Sequence, residues 1–437
     1  MKSYLSLARH SGNRDLFKMV ELSILATLRG DTLHIHAEGL RGTGKTTVMR
    51  SARQILPPIE RIKGCLYNCD PKRPHCPVHR QLSPAEIEAL GTEKIPMPFL
   101  EISHSAKLGT VAGSIDLAKI TDPTNPVAAI LPGIIPQAHR GIIFIDEINR
   151  LADTSPEITD VLLDVMGTKP GRVQIEETGL PLVEIPVQVS VWAASNPDEE
   201  PGPLQEIRRQ LSDRFDLVMD MGRPTSVETI AAILAQNQGP EEGPDREEWQ
   251  RLESRQKEWE GMLKAAREVV MPSYLARLLA KMYVEFSLES IRGIEAIQRA
   301  ALLHCALRRQ KEVSLADVQA VTPLALRHRV DLETLTAILR YLEGQKPREA
   351  VEASGGQGGG ERGALPGKKA GPSPEAGAPL FTGKLERAGA LPEQAHLSLC
   401  PRENLHLAPP ARARRLVDLR PAELLRTQRE LERGRAT

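Results

Sequence analysis

The chain has 437 residues, which suits one large domain with smaller ones attached. Its 57 basic residues balance its 57 acidic residues, so overall charge provides no attraction to nucleic acid or to a membrane surface. Apolar residues make up 41% of the chain and aromatic residues only 3%, so its interior must be mainly aliphatic. Five cysteines in so long a chain do not resemble a disulfide framework.

No long apolar stretch occurs near the start of the chain, which begins Met1-Lys2-Ser3-Tyr4-Leu5. The most apolar runs, at 128–135 and 141–145, are much shorter than a membrane span. We therefore expect a cytoplasmic protein without a membrane segment.

The first half of the chain alternates between helical and strand patterns. Residues 1–30 are predicted to be helical, and a glycine-rich turn with a helix from Lys45 follows the first strand. Alternation of this kind indicates a parallel α/β sheet. Alternating polar and apolar residues on both sides of Thr178-Gly179 predict a β-hairpin at 171–185. The predicted sheet strands are 32–37, 98–102, 141–145 and 187–193.

From residue 224 the pattern is helical, without strands. Ser314 and Asp317 form a predicted capping box for one of these helices. The other predicted helices are 227–236, 246–269, 273–286 and 293–309. These patterns divide the chain into an α/β nucleotide-binding core (1–222), a helical lid domain (223–344), a Gly/Pro-rich linker (345–384) and an arginine-rich tail (385–437). The tail suits a docking peptide, and its lack of aromatic rings disfavours nucleic acid.

A phosphate-binding loop is predicted at Gly39-Leu-Arg-Gly-Thr-Gly-Lys-Thr46, which matches G-x-x-x-x-G-K-[ST] between a strand and a helix. Glycines allow consecutive backbone N–H groups to face phosphates at a helix N-terminus. Lys45 would reach the β- and γ-phosphates, and the Thr46 hydroxyl would bind Mg²⁺. The candidate ATP contacts are Gly39, Gly42, Thr43, Gly44, Lys45, Thr46 and Thr47.

Two acids follow the apolar strand at 142–145, about one hundred residues after the loop. Asp146 would complete the Mg²⁺ site with Thr46, and Glu147 would polarise the attacking water. Asn196 ends the next apolar strand, and it would orient that water as sensor 1.

Arg214, in Leu211-Ser-Asp-Arg-Phe215, is the candidate arginine finger, with Arg208 and Arg209 as alternatives. A finger acting on a neighbouring subunit implies an oligomer. Arg292, near the start of a predicted lid helix, is the candidate sensor 2, with Arg299 as the alternative.

Cys65, Cys69, Cys76 and His79 lie within fifteen residues, with His75 adjacent. The spacing C-x₃-C-x₆-C-x₂-H provides four ligands for a tetrahedral zinc ion. An iron–sulfur site and free thiols remain alternatives, and Cys305 is expected in the core.

Six blocks in this order resemble the ATPase subunit of magnesium chelatase, in the AAA+ branch that also contains the MoxR ATPases. The blocks are 42–46, 64–71, 113–117, 140–149, 213–215 and 324–329. The resemblance implies an AAA+ P-loop core with hairpin inserts near 113–133 and 171–185. It also implies Mg²⁺-dependent ATP hydrolysis, a hexameric ring, and a partner carrying a von Willebrand factor A domain.

Three functions fit these patterns. The first is a remodelling ATPase that acts on a von Willebrand partner, and the second is the ATPase subunit of a magnesium or cobalt chelatase acting on a tetrapyrrole. The third is a nucleic-acid translocase, which is disfavoured because a chain of zero net charge has no overall attraction to nucleic acid.

Overall fold

The computed structural model describes residues 3–115, 130–167, 170–175, 182–238 and 246–345. The predicted tail and all but the first residue of the predicted linker lie outside these ranges. The strands are β1 (Ile35–Glu38), β2 (Pro58–Ile62), β3 (Thr92–Pro96), β4 (Phe99–Ile102), β5 (Gly113–Ile115), β6 (Ile130–Pro132), β7 (Gly141–Ile145), β8 (Gly171–Ile175), β9 (Val183–Val187), β10 (Val189–Ala194) and β11 (Leu217–Asp220).

In the described residues, α-helices alternate with strands up to β11, and only helices follow. They are α1 (Arg14–Arg29), α2 (Lys45–Ser51), α3 (Pro84–Leu90), α4 (Leu108–Ala112), α5 (Ile134–Gln137), α6 (Ile148–Thr154), α7 (Pro156–Gly167), α8 (Leu204–Ile207), α9 (Arg209–Ser212), α10 (Val227–Gln238), α11 (Arg246–Glu268), α12 (Ser273–Glu285), α13 (Ile291–Leu307), α14 (Leu315–Leu326) and α15 (Leu332–Glu343). The predicted boundary at 222/223 falls between β11 and α10.

A five-stranded parallel sheet forms the centre of the α/β part, in the order β11-β1-β10-β7-β4. Each predicted sheet strand is present; β7 has its predicted limits, and the ends of β1, β4 and β10 differ from theirs by at most three residues. β1 begins at Ile35 because the backbone N–H of His34 donates to the Asp216 carboxylate at 2.8 Å. Val187 pairs with Gly171 in a hairpin, so β10 begins after it.

Three antiparallel strand pairs of the described residues stand outside this sheet, one formed by β2 and β3 and two where the hairpin inserts were expected. β5 pairs with β6, and β8 pairs with β9. The predicted turn at Thr178-Gly179 and the tip of the first insert, at 116–129, lie outside the described residues.

The two faces of the sheet belong to different apolar cores. Ile142 and Phe144 of β7 face the first core, and Ile143 and Ile145 face the second, as the period of a strand requires. The first core also contains Trp259 of α11, whose indole N–H donates to the Ile55 carbonyl at 2.8 Å. The helical part is therefore packed against the sheet rather than only connected to it.

The capping box of α14 confirms the sequence prediction and adds a buried carboxylate to it. The Ser314 hydroxyl donates to Asp317 at 2.6 Å, and His304 and Arg308 bind the same carboxylate at 2.7 and 3.0 Å. Burial alone would raise the pKa of Asp317, but hydrogen bonds from His304, Ser314 and Arg308 lower it overall.

We expect Asp317→Asn to lower the free energy of unfolding by about 2–4 kcal/mol at pH 7, since it removes the buried charge to which His304, Ser314 and Arg308 donate. Because the pKa of the folded state is depressed, the wild-type advantage is complete above pH ~4 and is lost as the pH falls further. Urea unfolding at pH 7 and pH 3 measures both effects. Asp331→Asn, at the exposed N-cap of α15, is the control, because asparagine caps as well as aspartate. Equal losses in the two variants would contradict the prediction.

Candidate nucleotide-binding and catalytic site

The loop between β1 and α2 has the backbone that its glycines predict. Gly42 and Gly44 have φ angles of +76° and +92°, in the left-handed region that favours glycine. At Gly39, with φ +135°, a Cβ would lie 2.9 Å from the carbonyl oxygen of Met221. The loop can therefore curl only with glycine at these positions, and α2 begins directly behind it at Lys45.

This loop forms one wall of a cleft of about 220 Å³. Residues 41–47 line it together with Asp146, Glu147, Ser195 and Asn196. These acids and polar residues follow β7 and β10, which are neighbours in the sheet. The fold thus places most of the predicted ATP-site residues in one cleft at the carboxyl edge of the sheet.

Lys45 is the first residue of α2, and its side chain lies against the loop. Its Nζ donates to the carbonyl oxygens of Gly39 and Leu40 at 2.6 and 2.8 Å and to Asn196 Oδ1 at 2.9 Å. Burial lowers the pKa of Lys45, while nearby carboxylates, Asp146 foremost, oppose that shift. A cation surrounded by neutral acceptors is well placed to bind phosphate oxygens instead.

Thr46 and Asp146 meet as predicted for a Mg²⁺ site. The Thr46 hydroxyl lies 3.1 Å from each carboxylate oxygen of Asp146. Hydroxyl and carboxylate oxygens are the ligands that Mg²⁺ prefers beside phosphates, so these residues fit the ion. Bound there, Mg²⁺ would neutralise charge on the β- and γ-phosphates.

Glu147 lines the cleft from the N-cap position directly before α6. Its backbone has φ +53° and ψ +50°, a left-handed conformation that is uncommon outside glycine. Arg150 Nε lies 3.4 Å from its carboxylate, and Asn149 Nδ2 donates to the Asn196 carbonyl at 3.3 Å. Arg150 and Asn149 had not been singled out, although Asn149 ends the 140–149 block.

The three candidate finger arginines differ in their partners. Arg208 forms an ion pair with Asp160 at 3.7 Å, and Arg209 with Glu289 at 3.0 Å. The Nε of Arg214 is buried without a hydrogen-bond partner among the described residues. Burial, and then the nearby charge of Arg292, lower the pKa of Arg214. Arg214 is also not among the described residues that line the cleft of its own chain.

Arg292 and Arg299 lie at the junction between lid and sheet. Arg292 binds Asp213 at 2.8 Å, and Arg299 binds Asp216 at 2.8 Å. Neither lines the cleft in the described part of the chain, and the sensor 2 role of Arg292 stays a prediction. The Asp213 carboxylate holds Arg292 beside the adjacent Arg214.

Arg329 also belongs to this junction, which no sequence pattern had predicted. Its guanidinium binds the Asp213 carboxylate at 3.2 Å and the Phe215 carbonyl at 2.7 Å. His328 bonds to the same carbonyl at 3.0 Å. Both residues belong to the 324–329 block, and that block is the sequence feature from which they could have been identified.

The side chains of the predicted cysteine cluster lie close together in the structure, and none of them lines the nucleotide cleft. The ligand atoms of Cys65, Cys69, Cys76 and His79 all lie within 4.8 Å of one another. Cys305 is buried in α13, as expected.

No helix in the described ranges is long and apolar enough to cross a membrane.

The parallel sheet, the P-loop and the acids after β7, with a helical region packed against the sheet, define an AAA+ ATPase. Residues 276–347 match the family model described as the AAA lid domain.

Curated relatives narrow this class further. The magnesium-chelatase 38 kDa subunit of Acidiphilium rubrum is 31% identical over 323 residues, covering 73% of this chain and 89% of that protein. The subunit of the same name from Chlorobaculum parvum is 30% identical and covers 69% of this chain and 84% of its own length. A magnesium-chelatase subunit ChlI homolog of Methanocaldococcus jannaschii is 28% identical over 72% of this chain and 82% of that protein. The chain belongs to the magnesium-chelatase ATPase-subunit family.

Lys45→Ala should weaken ATP binding by about 30-fold to 1,000-fold, because charge-assisted bonds to phosphate contribute about 2–4 kcal/mol in total. Fluorescent-nucleotide titration measures this affinity. Lys281→Ala, an exposed lysine in α12, is the control and should bind like wild type. Undiminished affinity in Lys45→Ala would mean that the cleft is not the ATP site.

Proposed function

We propose that this protein is the ATPase subunit of a metal chelatase, which couples ATP hydrolysis to insertion of magnesium or cobalt into a tetrapyrrole. The main support for this proposal is that relatives named as magnesium-chelatase subunits align over 84–89% of their own length. The same alignment supports this hypothesis better than the remodelling ATPase with an unrelated substrate. Nothing in the described residues supports nucleic-acid translocation.

In this proposal each chain contributes to two ATP sites. Lys45 and the loop residues bind the phosphates, Thr46 and Asp146 hold Mg²⁺, Glu147 polarises the attacking water and Asn196 orients it. Arg214 extends to the nucleotide of the neighbouring subunit, since it lies outside its own cleft and its Nε has no partner among the described residues. Arg292, held beside it by Asp213, acts on the same neighbouring nucleotide. These roles require an oligomer, which we take to be a hexameric ring.

The Asp213–Arg292–Arg329 junction would couple the site to the lid. The backbone of residues 213–216 connects α9 to β11, and ion pairs attach it to α13 and to the turn after α14. A change at Arg214 on hydrolysis would therefore reach the lid through its neighbour Asp213. The von Willebrand factor A-domain partner would receive this movement and pass it to the tetrapyrrole-binding subunit.

The test is a reconstituted chelatase assay. The purified chain is mixed with the other chelatase subunits encoded in its own genome, and ATP turnover and metalloporphyrin or cobalt-corrin formation are followed together. Turnover with metal insertion, both absent in Lys45→Ala, supports the proposal. Turnover that responds to a von Willebrand partner without insertion of either metal would overturn it in favour of a remodelling ATPase.

A further inference from the structure

The segment between β2 and α3, residues 63–83, contains a cluster that the ATPase proposal does not use. In these residues the chain forms turns and one isolated bridge, between Asp70 and Arg73. Yet Cys65, Cys69 and Cys76 are at most 3% exposed, and all three are free thiols. So much buried sulfur in an irregular segment needs a physical cause.

The ligand atoms of this cluster are arranged compactly. Those of the three cysteines and His79 lie within 4.8 Å of one another, and His79 Nδ1 is 3.2 Å from Cys76 Sγ. A tetrahedral zinc ion with Zn–S bonds of about 2.3 Å separates its ligand atoms by about 3.8 Å. Side-chain movements of less than about an ångström would complete such a site.

Backbone and side-chain donors surround the sulfurs as a second layer. The N–H groups of His75 and Cys76 donate to Cys69 Sγ at 3.4 and 3.3 Å, and the N–H of His79 donates to Cys76 Sγ at 3.3 Å. His75 Nδ1 lies 3.3 Å from Cys69 Sγ, and its ring stacks on His139 with centroids 3.7 Å apart. Such outer contacts orient metal ligands and hold them in place.

We propose that Cys65, Cys69, Cys76 and His79 bind one structural zinc ion. Three thiolates and an imidazole form a closed four-ligand set, which leaves no position for a substrate. An iron–sulfur cluster would place its own irons and sulfides between the ligands, so it needs a wider separation than this one.

The zinc ion would stabilise the segment that contacts the start of β6 and the end of α5, beside the first hairpin insert. The Tyr67 hydroxyl donates to the Ile130 carbonyl of β6 at 3.3 Å, and Asn68 donates to the Gln137 carbonyl at the end of α5. On the other side, the Ile62 N–H of β2 donates to the Cys69 carbonyl at 3.1 Å. Residues 65–69 thus link the metal ligands to β2, β6 and α5, independently of ATP hydrolysis.

The first test measures metal content in the full-length protein purified without a metal-affinity step. Mass spectrometry of the metal should find about one zinc ion per chain, and Cys69→Ser and His79→Ala should retain less than about a tenth of it. Cys305→Ser, a buried cysteine in α13, is the matched control and should keep full occupancy. His75→Ala should lose less zinc than His79→Ala, because His75 is assigned to the outer layer.

The second test uses wild-type protein, so it holds even where a variant fails to fold. Cobalt substitution should produce thiolate-to-cobalt charge-transfer absorption with tetrahedral d–d bands. Zinc removal by a chelator should accelerate hydrogen exchange at residues 62–70 and 130–138, with α13 unchanged. Metal-free protein with reactive thiols, an intramolecular disulfide, or bound iron in place of zinc would each overturn the proposal.

Discussion

Arg214→Ala should lower the ATP turnover of the assembled protein by about 1,000-fold, while ATP affinity stays within about twofold of wild type. An arginine finger stabilises the charge that develops during phosphoryl transfer and contributes little to binding of the ground state. The structure favours this arginine because Arg208 and Arg209 already have carboxylate partners, whereas Arg214 Nε has none among the described residues. Steady-state turnover and nucleotide titration measure the two quantities.

Arg209→Ala is the matched control, since this arginine lies five residues earlier in an exposed pair with Glu289 and should keep near-normal turnover. Mixing Arg214→Ala with Lys45→Ala protein tests action between subunits. Each mixed interface that joins an intact loop to an intact finger should recover activity. If the mixture stays as inactive as its components, Arg214 does not act on a neighbour.

Glu147→Gln should bind ATP normally and hydrolyse it at least about 100-fold more slowly, because an amide of the same shape cannot accept a proton from water. The variant should therefore accumulate with ATP bound, which retention of labelled nucleotide on the purified oligomer will show. Unchanged nucleotide affinity with an altered ATPase pH profile would indicate loss of the base, whereas weakened affinity would indicate a distorted cleft.

Glu260→Gln, an exposed glutamate in α11, is the control for this substitution. Wild-type turnover in Glu147→Gln would exclude Glu147 as the group that polarises water. The role of Glu147 would then be structural, through its ion pair with Arg150 at 3.4 Å.

Much of the fold could be predicted because its signals are local. Buried parallel strands are apolar runs bounded by helices, and β7 was predicted at its observed limits, Gly141–Ile145. The capping box at Ser314 involves residues three apart, so it too could be read directly from the sequence. The ends of strands could not be predicted as closely. Val187, for example, belongs to a hairpin, and only its pairing with Gly171 reveals this.

The position of most of the candidate ATP-site residues in one cleft could be predicted for the same reason. A phosphate loop requires glycine where φ is positive, and lysine and threonine must follow it, so the motif carries its own geometry. Asp146, Glu147 and Asn196 follow strands that are neighbours in a parallel sheet, so they lie at the same edge of that sheet.

The sequence by itself thus determined the class of protein, the P-loop and the four members of the cysteine cluster. Only the tertiary structure decided which charged side chains meet across long separations. It placed Arg292 and Arg329 on Asp213, and it left the Nε of Arg214 without a partner among the described residues. Local patterns cannot reveal such contacts, because they depend on how distant elements pack and not on the spacing of residues along the chain.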